Sequence, residues 1–177
     1  YSNTIVSAFR FVSPTKIFAG TTGNGSAGGD GVFKSTDTGA TWSLATKGIN
    51  ALEGRDIKVI TTGPFAGRIL YLVNSGLGYW YSDDQGLTWF FKQISDTYGM
   101  TEIIVSGTTL IAYGVFYVYR SVDGGSTWNS TLSQIDPSTP FLNGLLRIGT
   151  DLYASASDGA NTVNKICKST DYGVNWI

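Results

Sequence analysis

S-T-D-T-G-A-T-W at residues 35–42 recurs as S-D-D-Q-G-L-T-W at 82–89, S-V-D-G-G-S-T-W at 121–128 and S-T-D-Y-G-V-N-W at 169–176. The shared pattern is S-x-D-x-G-x-[TN]-W. It is anchored by Ser35, Asp37, Gly39 and Trp42, then Ser82, Asp84, Gly86 and Trp89, then Ser121, Asp123, Gly125 and Trp128, and last Ser169, Asp171, Gly173 and Trp176. Its aspartates are separated by 47, 39 and 48 positions. That period is the size of one four-stranded propeller blade.

Short Asp and Ser side chains hydrogen-bond to backbone groups a few residues away, and glycine takes a positive φ without steric cost, so the octapeptide reads as a locked tight turn. The tryptophan behind it is a large apolar surface suited to filling the gap between blades. The sixteen anchor residues are therefore expected to be hairpin clamps, not acidic binding sites. Runs of β-branched and aromatic residues bounded by Gly, Ser and Asp give four strands per repeat, with the box turn between the third and fourth. In the second repeat these fall at 57–61, 68–74, 78–82 and about 88–93. The innermost strands of the other repeats are placed at about 4–12, 102–106 and 145–149. The expectation is an all-β chain made of four-stranded antiparallel blades at about 1–50, 51–97, 98–136 and 137–177, the last incomplete.

The octapeptides resemble the Asp-box, or BNR, repeat of sialidases, sortilin-type receptor domains, xyloglucanase-type glycoside hydrolases and photosystem assembly factors of the YCF48 type. The resemblance runs the length of the chain and implies a β-propeller. It leaves function open, because those relatives include hydrolases, receptors and assembly factors. Four blades are few for a closed ring, and the exposed blade faces of an open stack are an association hazard. The chain is accordingly read as part of a larger propeller or array, partnered by further blades of the same polypeptide or by other copies of itself.

Charged residues make up 14% of the chain, 12 basic against 13 acidic and scattered, which gives no footprint for nucleic acid or an anionic membrane. No apolar run reaches the ~18 residues of a membrane-spanning helix, so membrane insertion is not expected. The absence of histidine removes Ser-His-Asp and Cys-His catalysis and histidine zinc sites, and no metal or cofactor is expected. Cys167 is the single cysteine and occupies the place of Phe33, Trp80 and Tyr119 in the other repeats, so it is read as a packed thiol. Sequons at Asn24 and Asn129 are weak matches in a chain so rich in Asn, Ser and Thr. A Gly-, Ser- and Thr-rich, Lys- and Glu-poor composition points to an extracellular or cell- or virion-surface protein.

The longest irregular stretches, 23–30, 47–56, 95–100, 134–143 and 157–161, fall on the face opposite the box turns, where the resemblance implies ligand sites. Arg55, Asp56, Tyr98 and Phe141 are the leading ligand candidates there, as aromatic faces beside Arg and Asp suit a glycan or protein ligand. The reading that follows is a binding or structural module more than an enzyme. The alternative is a glycoside hydrolase using two of the loop aspartates Asp56, Asp96, Asp136 and Asp158, xyloglucanase-like more than sialidase-like. Sialidase chemistry needs an arginine cluster and a Tyr-Glu pair. The chain has only Glu53 and Glu102 as glutamates, and Arg120, like Lys34 and Lys168 just before a box serine, reads as a repeated surface cation.

Overall fold

The computed structural model describes residues 4–23, 29–50, 53–73, 76–95, 99–133, 141–158, 160 and 164–177. Among these the chain forms fifteen strands and no helix. They make four antiparallel meanders. The first contains β1 (Thr4–Phe11), β2 (Ile17–Gly23), β3 (Val32–Ser35) and β4 (Ser43–Leu44), and the second β5 (Gly54–Val59), β6 (Ile69–Val73), β7 (Gly78–Ser82) and β8 (Phe90–Gln93). The third contains β9 (Met100–Ser106), β10 (Thr109–Gly114), β11 (Tyr117–Ser121) and β12 (Asn129–Ser133), and the fourth β13 (Phe141–Ile148), β14 (Asp151–Ser157) and β15 (Asn164–Ser169). Beyond β15, Ile177 and Lys168 exchange both backbone hydrogen bonds at 2.7 and 2.9 Å. This is the pairing that opens the outer strand in the first blade, where Ser43 faces Lys34.

The meanders are stacked face to face as propeller blades, with the first strand of each innermost. β1 packs on β5 and β5 on β9. Second strands such as Ile-Leu-Tyr-Leu-Val in β6 are buried along their whole length, because each face meets a different blade. Three apolar cores result. Phe18 and Val32 of the first blade meet Ile57, Ile69, Tyr71 and Trp89 of the second. Leu70, Leu72 and Tyr79 meet Met100, Ile103, Leu110 and Ala112, and Ile111, Tyr113 and Val118 meet Leu142, Leu145, Leu152 and Ala154.

The repeats coincide position by position, since Ile17, Ile69, Leu110 and Leu152 each pair with a box serine. In every box the serine hydroxyl donates to the aspartate at 2.7–2.8 Å, while its oxygen accepts the glycine N–H at 2.7–2.9 Å. The aspartate also accepts the N–H of Thr41, Thr88, Thr127 or Asn175 at 2.9 Å, and the side chain of that residue as well. The residue before each box glycine, Thr38, Gln85, Gly124 or Tyr172, has φ of 56–65°, the left-handed conformation such a turn requires.

Each blade also reaches into the next box turn. The carbonyl of that left-handed residue accepts from Lys34 Nζ at Gln85 (2.9 Å), from Arg68 Nη1 at Gly124 (3.0 Å) and from Arg120 Nε at Tyr172 (3.0 Å). Where the second blade has Tyr81 in place of the strand cation, Arg68 stacks on Tyr81 and Phe65 and takes over the role. Arg120, read from sequence as a surface cation, is thus a half-buried link between the third and fourth blades.

Candidate functional site

Up-and-down connectivity sends the first-to-second and third-to-fourth connections to one end of every blade and the other two kinds to the opposite end. The pairing agrees: Thr38 N–H of a box turn donates to Thr15 O in the neighbouring turn (3.1 Å), and Gly124 N–H to Thr108 O (3.0 Å). The end opposite the boxes is the candidate site.

The innermost strands enter that end with a repeated irregularity. Pairing slips between Val6 and Ala8 in β1, Gly54 and Asp56 in β5, and Leu142 and Gly144 in β13. In β9 it slips between the residues facing Tyr113 and Gly114, which are Glu102 and Met100. The skipped residues are Ser7, Arg55, Thr101 and Asn143, and all four sit two positions before the matched residues Phe9, Ile57, Ile103 and Leu145. A β-bulge re-aims its side chain and is used next to functional sites. Four at one level put a hydroxyl, a guanidinium, a second hydroxyl and an amide around the axis, with Ser7, Arg55 and Asn143 exposed and Thr101 half-buried.

Aromatic and acidic groups flank them. Phe141, at the first position of β13, faces Phe116 with ring centroids 5.3 Å apart, and Leu142 N–H donates to Val115 O (2.6 Å). The Tyr113 phenol is pushed up by burial and by the charge of Glu102, and the charge of Arg55 opposes the shift. The Tyr71 phenol is pushed up by burial first and by Glu53 second.

Among the sequence candidates, Arg55 and Phe141 are at this end, in strands where a loop was expected. Asp56 is also in β5, and its carboxylate is committed: it accepts Ile57 N–H at 2.8 Å, meets Lys58 at 2.8 Å and lies 3.8 Å from Arg10. Lys58 reaches on to Glu102 at 3.5 Å, completing an alternating charge line across three innermost strands. Asp158 directly follows β14. Tyr98, Asp96, Asp136 and Asn24 lie outside the described residues, and Asn129 begins β12. The half-buried Cys167 thiol is pushed up by burial and is a resting thiol. Ser7, Thr101 and Asn143 were not singled out from sequence. Aligning the repeats on Ile57 and taking the residue two before it, the place of Arg55, would have found them.

No family model matches the chain. A xyloglucanase from Paenibacillus sp is 28% identical over 161 residues, which take in 72% of this chain and 16% of the enzyme. Among solved structures, the GH74 enzyme of Niastella koreensis superposes with a TM-score of 0.70 at 20% identity, covering 93% of this chain and 27% of that one. YCF48 from Cyanidioschyzon merolae superposes with a TM-score of 0.68 at 14% identity, covering 99% of this chain and 56% of that one. The chain therefore spans a minor share of the xyloglucanase and of the GH74 structure, and about half of the YCF48 structure. The fold is a β-propeller, partial in extent.

Proposed function

We propose that the chain is a binding module of the Asp-box class, displayed outside the cell, that takes a carbohydrate at the end of the blades opposite the boxes. The observation that carries this is the fourfold bulge. It sets Ser7, Arg55, Thr101 and Asn143 at one level beside Phe116 and Phe141, the mix of a few placed polar groups and aromatic surface that small-ligand sites use. The likeness to a xyloglucanase favours a plant-type glucan over other glycans. In this reading the boxes are turn clamps: every polar atom of their Ser-Asp pairs that can bond within the turn does so.

Titration calorimetry with xyloglucan oligosaccharides, backed by a glycan array, tests it. Arg55→Ala, Asn143→Ala and Phe141→Ala should each weaken binding about tenfold, the scale of one lost charged hydrogen bond or stacking surface. Binding untouched by all three, or lost on changing only the box rim, contradicts the proposal. A second reading, hydrolysis of the glucan, has the same likeness in its favour. It predicts release of reducing ends from xyloglucan by this chain alone.

A further inference from the structure

The two outermost blade faces carry the two halves of a joint that the chain already makes three times. On the forward face of the fourth blade, Ile166 pairs with Ser155, as Val32 pairs with Gly20, Tyr79 with Leu72 and Val118 with Tyr113. Val32, Tyr79 and Val118 are each 0% exposed under the following blade, and Ile166 is 74% exposed. On the backward face of the first blade the mirror situation holds. Phe9 matches Ile57 and Ile103, both 0% exposed, but is itself 46% exposed. Trp42 is 39% exposed, whereas Trp89 is 3% exposed and donates its indole N–H to Ala45 O of the preceding blade. Trp42 instead donates to Gly39 O of its own turn.

The polar part of the joint is also present on both sides. In the working joint, Lys34 lies over the Phe18 ring (5.9 Å) and caps Gln85 O, while Phe18 packs where a Cβ on Gly86 would stand 2.5 Å from it. On the fourth blade Lys168 lies over the Tyr153 ring (5.5 Å), with Tyr153 at the Phe18 position. Lys168 bonds Asp151 at 2.7 Å and the side chain of Tyr153, and an ammonium has three donors. The first blade offers Thr38 and Gly39 at φ 60° and 91°, the conformation of Gln85 and Gly86 at 59° and 81°. Ala8 faces Gly20 and leaves room for Ile57, which would lie 3.4 Å from a Cβ on Gly20. Gly144 faces Ser155 in the same places on the fourth blade, where a hollow of about 330 Å³ remains, lined by Leu146, Tyr153 and Ile166.

We propose that this hollow receives Phe9 of a second copy of the chain. The fourth blade of one copy docks on the first blade of another, Lys168 capping Thr38 O and Tyr153 covering Gly39. The contact joins unlike faces, and a two-fold pair that forms it twice makes a closed ring. Two copies contribute eight blades, the upper end of the usual propeller range.

Sedimentation velocity across the micromolar range should show the 177-residue chain as a dimer. Phe9→Asp and Ile166→Glu change exposed side chains on opposite faces and should each leave a folded monomer, checked by circular dichroism and thermal melting. Mixed in equal amounts, they should form a one-to-one pair, because each retains the face the other lacks. Lys168→Gln removes one charge-assisted hydrogen bond at each of the two joints and should weaken the dimer about a hundredfold. A wild-type chain that stays monomeric overturns the proposal. So does a dimer that survives either single variant, as like-to-like docking would, or a mixture that fails to pair.

Discussion

At the residue scale each box aspartate accepts three or more hydrogen bonds from its own turn. The hydroxyl of Thr41 and then its N–H hold Asp37 down to about 2, and the N–H and then the amide of Asn175 do the same for Asp171. At Asp84 and Asp123 burial pushes the other way, and the donors on Thr88 with Ser82, and Thr127 with Ser121, outweigh it to reach about 2. A carboxylate below its ordinary value favours the folded state while ionised. Its contribution is in full force above the ordinary value of about 4 and drains away as pH falls through about 2. The thermal midpoint should hold steady from neutral pH to about 4 and then drop. In Asp84→Ala, which should lose about 1–3 kcal/mol in urea titration at neutral pH through unsatisfied turn amides, the drop should be shallower. Xyloglucan binding by the folded variant should be unchanged, and a tenfold loss of affinity at an unchanged melting point would make the box a ligand site. These turns were legible in sequence because everything they need lies within eight consecutive residues. The links made by Lys34, Arg68 and Arg120 were not, since donor and acceptor sit 51, 56 and 52 positions apart.

At the scale of the elements, strands whose side chains alternate without interruption were legible. β7 falls where the pattern placed it, at Gly78–Ser82. The innermost strands of the last three blades instead begin two to four residues earlier than their patterns did, at Gly54, Met100 and Phe141. A bulge reverses the inside-outside alternation, so a period-two reading starts only after it. The residues ahead of those starts are the ones that approach the candidate site: Thr101 and Asn143 went unnoticed, and Arg55 and Phe141 were placed in loops. The links between blades act at this scale too. Removing the Arg120 guanidinium uncovers the left-handed turn at Tyr172, in a joint whose apolar part is Ile111, Tyr113, Leu152 and Ala154. Arg120→Met, which keeps the aliphatic stem, should cost about 1–3 kcal/mol. Hydrogen exchange should place the loss in β13 to β15, leaving β5 to β8 as protected as before. Loss spread evenly over all blades would contradict a joint of local reach.

For the whole molecule, stability follows from a count of covered faces. The second and third blades have a partner on both sides, while the first and fourth have one each, leaving Phe9, Phe11, Leu146 and Ile166 in water. Chains built from stacked repeats gain stability from each repeat and from each neighbouring joint, with little coupling beyond the next repeat. Such a stack opens from its ends inward, so protection should be graded. In the chain carrying both Phe9→Asp and Ile166→Glu, which holds it as a monomer in the head-to-tail scheme, β6 and β10 should be the slowest amides to exchange. β1 and β15 should be the fastest, with β2 and β14 between. Each end blade is fastened to its neighbour by a single apolar core, worth about 25 cal/mol for each Å² buried, whereas an inner blade must part from two. If all fifteen strands exchange at one rate, the four blades unfold as one unit and local joints do not set the order. If the gradient appears and then flattens in the wild-type chain as concentration rises, the terminal faces have found the blades they were shaped to meet.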